Sequence, residues 1–333
     1  MIDQLIEISR IVGMRNDYVQ AGGGNTSVKI DNSIMAIKSS GYLLSDVKLN
    51  EGYSIVDFSC IKQMIKKEKY TEKEILDKCH ISGNKASIEV FLHSMTKKYT
   101  VHIHSLLSNI LLARNNCEEI VKELFPNSAF IDYTTPGLEL AYNMIKKYND
   151  EEIIFLKNHG LIVTSDNYEE IERLIDLVDL KLSKYLNIKF EKYDNVTKIY
   201  KLIKKYDNDL IYLSEDIDIY KAFNKNNNKL WNYKFCPDCV VYCGLKELNL
   251  ECFLEKELDE FVSKNGKIVL IVYKNYIYIC AKTLKKAREI ESLLSFSAKI
   301  FLNNEENNLN YLTNEEAKKL YNCDFEKYRQ NID

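Results

Sequence analysis

The sequence predicts a mixed α/β chain in two parts. A larger first domain spans residues 1–190, and a small α+β module spans 233–333, with a connector that holds some helix at 191–232 between them. Three observations predict this. Helix-spaced and strand-like apolar segments alternate through the first part. The pattern then decays into "KYDNDL" and "NKNNNKLWN", the composition of a boundary. Beyond it, "KIVLIVYKNYIYICAK" reads as a strand hairpin turning at Lys274-Asn275.

Taken in order, Ile2, Leu5, Ile6, Ile8, Ile11 and Val12 have helical spacing, so residues 2–15 form the first helix. "QAGGGNTSVKI" is a glycine loop that runs into a short strand. "SIMAIKSSGYLLSDV" is a strand, a Ser-Ser-Gly turn and a restart. "SIEVFLHSMTKKY" is helical and leads into the strand "TVHIH", and "SLLSNILLAR" is a further helix. Extended chain near "FIDYTTPG" precedes the helix "LELAYNMIKKY". "EEIIFLKNHGLIVTSD" is a strand pair joined at Asn158 to Gly160, and a long helix at roughly 168–187 closes the first part. In the second part, "CVVYCG" reads as a strand, and "TLKKAREIESLLSFSAKIFL" as a helix with an apolar stripe. The single Trp231 reads as an anchor at the boundary. There is no internal repeat and no low-complexity tail.

Composition excludes several classes. Hydrophobic residues make up 46 % of the 333, enough for a substantial core. A formal net charge of −3 gives no electrostatic reason to expect nucleic acid as a partner. No apolar run is long enough to span a bilayer. The N-terminus lacks the basic and apolar regions of a secretion signal. The nine irregularly spaced cysteines then read as reduced thiols, and a cytoplasmic location is expected.

Chemistry concentrates on the histidines, of which there are only five. His102 and His104 lie two apart on a strand and so share a face. His159 stands at the tip of the later strand pair. Three neutral imidazoles suit a divalent transition metal, most simply Zn²⁺, with a coordination position left for substrate. "GGGNTS" offers backbone N–H groups and small hydroxyls to an anion such as phosphate. "KSSG" adds Ser39, Ser40 and Gly41, and "KASIE" puts Ser87 two residues before Glu89 at a helix start. Glu89 suits a general base, provided that its pKa is raised.

The ordered set "GGGNTSVK", "IKSSG", "ASIEVFLH", "VHIH", "IDYTTPGLELA" and "FLKNHGLIV" resembles the class II aldolase/adducin family over roughly residues 1–190. It is most similar to the aldolase part of bacterial aldolase/short-chain dehydrogenase fusions. The stretch from "FCPDCVVY" through "KTLKKAREIESL" also resembles the segment after the aldolase domain in those fusions. No dehydrogenase comes after it in this sequence. A further alternative is that the C-terminal module binds a partner, a separately encoded dehydrogenase being one candidate.

The resemblance implies a three-layer α+β domain with a central, mainly antiparallel sheet flanked by helices, often built into a fourfold-symmetric homo-tetramer. It implies that His102, His104 and His159 hold Zn²⁺ or another divalent transition metal. Glu89 is then the catalytic carboxylate, which can also touch the metal when substrate is absent. Gly24 and Asn25, Ser40 and Gly41, and Ser87 with Ile88 fall on the positions that hold a sugar phosphate. The implied reaction is lyase cleavage or formation of a C–C bond in a phosphorylated ketose, through a metal-stabilised enediolate. A pentulose-phosphate 4-epimerase, a sugar-phosphate dehydratase and a non-catalytic adducin-like assembly protein are the alternatives.

Two departures stand out. Ile88 replaces a hydroxyl residue. "LLARNNCEEIVKEL" also lacks the tyrosine that fuculose-phosphate aldolases use as a proton donor, and Tyr133 lies further on. His93, one turn after Glu89, reads as packed or as a support for the site. His80 reads as surface. Cys236 and Cys239 form a C-x-x-C without a clear second pair, so free thiols are expected.

Overall fold

The computed structural model describes residues 1–206 and 208–323. The chain divides into two units, Met1–Phe190 and Glu191–Asp333.

The first unit is built on eight strands: β1 (Asn25–Lys29), β2 (Ile34–Lys38), β3 (Tyr53–Asp57), β4 (His80–Gly83), β5 (Tyr99–Ile103), β6 (Ala129–Ile131), β7 (Ile153–Leu156) and β8 (Gly160–Ser165). They form one sheet in the order β4-β3-β2-β1-β5-β8-β7-β6. Every pairing is antiparallel except β6 with β7 at one edge.

Eight helices cover the two faces: α1 (Ile2–Gly13), α2 (Phe58–Lys66), α3 (Glu72–Cys79), α4 (Val90–Met95), α5 (Leu106–Leu112), α6 (Cys117–Leu124), α7 (Leu138–Lys147) and α8 (Tyr168–Leu186). Side-chain alternation along the strands makes two cores. Val28, Val101, Ile103, Leu161 and Val163 pack under α1, α5, α6 and α8. Met35, Ile37, Val56, Ile154 and Ile162 pack under α2, α3, α4 and α7. The result is the expected three-layer α+β arrangement with a mainly antiparallel central sheet. His102, between Val101 and Ile103, is thereby turned toward the α4 layer.

The second unit has α9 (Glu191–Ile203), β9 (Leu210–Leu213), α10 (Ile217–Lys225), α11 (Pro237–Cys243), β10 (Leu248–Asn249), α12 (Glu255–Asn265), β11 (Leu270–Tyr273), β12 (Tyr276–Ala281), α13 (Leu284–Leu302) and α14 (Asn314–Tyr321). Its sheet runs β10-β11-β12-β9. The hairpin turns at Lys274 and Asn275, both at positive φ, as a two-residue loop between twisted strands requires.

Several elements differ from the sequence reading. The stretch 191–232 contains α9, β9 and α10, and β9 is an edge strand of the second sheet. Its lysines are exposed or half-buried, while Asn195 and Asn208 are buried along with Val196, Ile199, Ile203, Ile211 and Phe223. "CVVYCG" is helical: Pro237 starts α11 at a position where its missing N–H is harmless. Trp231 is buried and stacks on Phe301 with ring centroids 6.1 Å apart, within the second unit.

Candidate metal centre and the turns around it

His102 sits in the middle of the sheet, with Asn25 opposite it on β1 and Ile162 opposite it on β8. Residues paired across antiparallel strands share a face, so Asn25 and His102 point into the same layer. His104 comes just beyond the end of β5. His159 reaches the same point from the turn between β7 and β8, where Asn158 takes φ 53°. A Cβ on Gly160 would stand 2.4 Å from the Ile103 carbonyl oxygen, so only glycine lets the turn come this close to β5. Gly23 meets the group from the other side, since a Cβ there would lie 2.8 Å from His104 Nδ1.

The three rings converge. Their centroids are 5.2 Å apart for His102 and His104, 4.7 Å for His102 and His159, and 5.3 Å for His104 and His159. One nitrogen from each lies within 4.8 Å of the others. Glu89, at the start of α4, brings Oε2 to 3.2 Å from His102 Nδ1 and Oε1 to 3.7 Å from His159 Nε2.

The donor set fits a divalent metal. Both His102 ring nitrogens, Glu89 Oε2, Asn25 Oδ1 and His93 Nε2 are buried without hydrogen-bond partners. The 3.2 Å approach of Glu89 to His102 lacks hydrogen-bond alignment. One such orphan typically costs about 1–3 kcal/mol. Several at one point, on imidazole and carboxylate atoms, mark a place where a cation satisfies what the protein leaves open.

Electrostatics favour the same reading. Burial pushes His104 and His159 down to about 4, and the neighbouring His102 adds to the effect. Burial pushes His93 down to about 3. At neutral pH these rings are therefore unprotonated, the form that ligates metals. Burial raises the Glu89 carboxyl, but the imidazoles of His102, His159 and His93 outweigh that and hold it at about 2. The raised pKa expected of a general base is thus reversed here. Glu89 rests as a carboxylate because it faces rings and not like charges.

These shifts predict an acid-sensitive metal-free protein. An unfolded chain takes up protons on its histidines near pH 6.5, while the folded chain resists until about 4. The stability contributed by the neutral rings is complete above about pH 6.5 and is lost as pH falls toward about 4. Urea midpoints of chelator-treated protein should fall across that window. A flat profile would show that the rings are not held neutral by the fold.

Three turns meet beside the rings. Lys38, buried at the end of β2, donates from Nζ to the Gly22 carbonyl at 3.0 Å and to the Gly24 carbonyl at 3.4 Å. This ties the glycine loop to "KSSG". Ser39 pairs with Ala86 as an isolated bridge, and the Ser40 N–H donates to the Lys85 carbonyl at 3.0 Å, which ties "KSSG" to "KASIE". Ser40 and Gly41 are exposed, while Asn25 and Ser87 are buried. Ser87 Oγ accepts the Glu89 N–H at 3.3 Å and so orders the start of α4.

Gly24, Asn25, Ser40, Gly41, Ser87 and Glu89 thus belong to neighbouring segments. Lys38 was not singled out by the sequence reading. The available signal was a cation ending the apolar strand "IMAIK". Burial lowers its pKa, and the Glu89 charge partly restores it.

The remaining candidates also have definite positions. Ile88 is exposed, with Cδ1 beside Gly137. Tyr133 is exposed. His93 is fully buried, with Nδ1 2.7 Å from Ser27 Oγ. His80 is exposed, and its Nε2 lies 3.1 Å from the Asn84 carbonyl.

The layered sheet gathers three imidazoles that could hold a metal ion, a carboxylate and three small-residue turns, the set that the resemblance to class II aldolases led one to expect. The profile of the Class II Aldolase and Adducin N-terminal domain family matches residues 3–180, and the chain belongs to that family. It is 28 % identical over 188 residues to the L-fuculose phosphate aldolase of Methanocaldococcus jannaschii, covering 54 % of this chain and 94 % of that one. It is 22 % identical over 211 residues to the uncharacterized oxidoreductase YuxG of Bacillus subtilis, covering 58 % of this chain and 30 % of that one. The chain therefore spans under a third of the YuxG relative, in accord with the resemblance to the aldolase part of fused proteins. Among solved structures, the N-terminal class II aldolase domain of a conserved protein from Thermoplasma acidophilum shares the fold. Its TM-score is 0.50 at 24 % identity, and the match covers 56 % of this chain and 93 % of that one. No helix among the described residues is long and apolar enough to cross a membrane.

Proposed function

We propose that the chain is a zinc-dependent lyase of the aldolase type, acting on a phosphorylated ketose. The convergence of His102, His104 and His159 within 4.8 Å, beside an unpartnered Glu89 carboxylate oxygen, carries this reading. The histidines hold the ion through neutral nitrogens. When bound, it supplies Lewis-acid stabilisation of negative charge on neighbouring substrate oxygens.

Everything else falls to the chain's own side chains. Glu89 rests ionised and so is free to take a proton from the substrate at its carboxylate, and its low resting pKa makes it ready to return that proton. Asn25, Ser40, Gly41 and Ser87, with the Gly24 backbone, hold the phosphate. Lys38 shapes the glycine loop and contributes positive charge. This grip fixes the substrate away from the reacting carbon, so that its binding energy serves orientation. The retained histidines and Glu89 favour an enzyme over a non-catalytic assembly protein.

The homologue named as a fuculose phosphate aldolase supports C–C bond cleavage over 4-epimerisation or dehydration. The same proposal includes a homo-oligomer, which light scattering of the purified protein checks. The decisive test is aldehyde release from a panel of ketose 1-phosphates by zinc-loaded protein. Release from at least one is expected. Interconversion of pentulose phosphates without aldehyde would move the reading to an epimerase.

The phosphate cradle has its own test. Ser40→Asp sets a negative charge against the ligand. It should raise KM strongly for phosphorylated substrates and little for their unphosphorylated counterparts. An equal effect on both would mean that these turns do not hold phosphate.

A further inference from the structure

The second unit contains a pair of thiols that the reaction does not use. Cys236 immediately precedes α11, Pro237 opens the helix, and Cys239 comes one turn later. Their sulfurs are 3.2 Å apart. Cys236 is half-buried and Cys239 is buried. Cys239 Sγ also lies 3.1 Å from Ser297 Oγ on α13.

A structural metal is the competing use of such a pair. It needs further ligands, usually four in all. Among the described residues, the only tight group of three or more His, Cys, Asp or Glu ligands is the histidine set of the first unit. Cys243 lies on the same helix, but its sulfur faces the Ile290 carbonyl at 3.9 Å. The thiols are therefore left to react with each other. A disulfide needs its sulfurs at about 2.05 Å, so a closure of roughly 1 Å is enough.

We propose that Cys236 and Cys239 form a reversible dithiol–disulfide pair, with Cys236 as the attacking and Cys239 as the resolving thiol. The oxidant is a small-molecule disulfide. The Cys236 thiolate attacks one of its sulfurs, which makes a mixed disulfide and expels one small thiolate. The Cys239 thiolate then attacks Cys236 Sγ, which closes the protein disulfide and expels the second. Two electrons pass from the protein to the small disulfide. The two thiol protons end on the two released small thiols.

The exposures fix the order, since only Cys236 is open to a reagent. Burial and the neighbouring Cys239 thiol raise the Cys236 pKa. The thiolate is the nucleophile, so the pair oxidises faster as pH rises.

The test uses the full chain and glutathione disulfide, then alkylation and trypsin. The peptide between Lys234 and Lys246 carries Cys236, Cys239 and Cys243. Before oxidation it should take three alkyl groups. Afterwards it should take one, on Cys243, and be lighter by two hydrogens at the other pair. Cys239→Ser should instead accumulate a glutathione adduct on Cys236. Three alkyl groups after oxidation, a link through Cys243, a lasting glutathione adduct in the unmutated protein, or zinc released when these thiols are alkylated would each overturn the proposal. The unmutated protein decides the matter even if the variant fails to fold.

Discussion

His159→Ala is expected to strip the metal from the purified protein and leave the fold intact. The side chain stands on a turn and is half-buried, so its removal leaves little cavity in the core. Outer partners of metal ligands typically cost about 10–100-fold in affinity. A direct ligand among only three should cost more than about 100-fold. Metal content after desalting reads this directly, and thermal melts read it a second way. A ligand at about 100 times its Kd stabilises the folded state by roughly 2.7 kcal/mol, so added zinc should raise the Tm of the unmutated protein. The variant should melt near the metal-free value with or without zinc. His80→Ala is the control, because that exposed ring faces the Asn84 carbonyl and lies outside the histidine group. Full metal retention by His159→Ala would remove the basis of the site.

The histidine site was legible because strand geometry leaves little freedom. A period of two puts His102 and His104 on one side, and the buried Val101 and Ile103 decide which side that is. His159 was legible from the glycine beside it, which the approach of the turn to β5 requires. Lys38 was not legible. Its partners are backbone carbonyls of a loop, and no side-chain pattern announces them. The direction of the Glu89 shift was also hidden, because it depends on which groups face the carboxylate across the fold.

Local signals were present for some of what was missed. Asp57 caps α2, and Thr71 with Glu74 makes a capping box at α3. Lys and Glu crowd α3 and mask its buried Ile75, while α2 is too short for the spacing of Ile61 and Ile65 to stand out. The short run "CVVYCG" is compatible with strand or helix by periodicity alone, and Pro237 was the signal for a helix.

Glu89→Gln is expected to keep the metal and the fold and to lower kcat by about 10²–10⁴-fold, the usual contribution of general acid–base catalysis. The amide has the size of the carboxylate but cannot take up a proton at working pH. Structure at the helix start should persist, because the Glu89 backbone N–H, not its side chain, is what Ser87 holds. Zinc should remain, since His102, His104 and His159 supply the ring nitrogens without Glu89. KM should change little if the carboxylate acts on the proton and not on the phosphate. Glu89→Asp keeps the charge but withdraws it by one methylene from His102 and His159. It should retain part of the turnover that the amide loses. If both variants fell equally and lost zinc together, Glu89 would be a ligand and not a base. If Glu89→Gln turned over at the unmutated rate, the proton would be handled by another group.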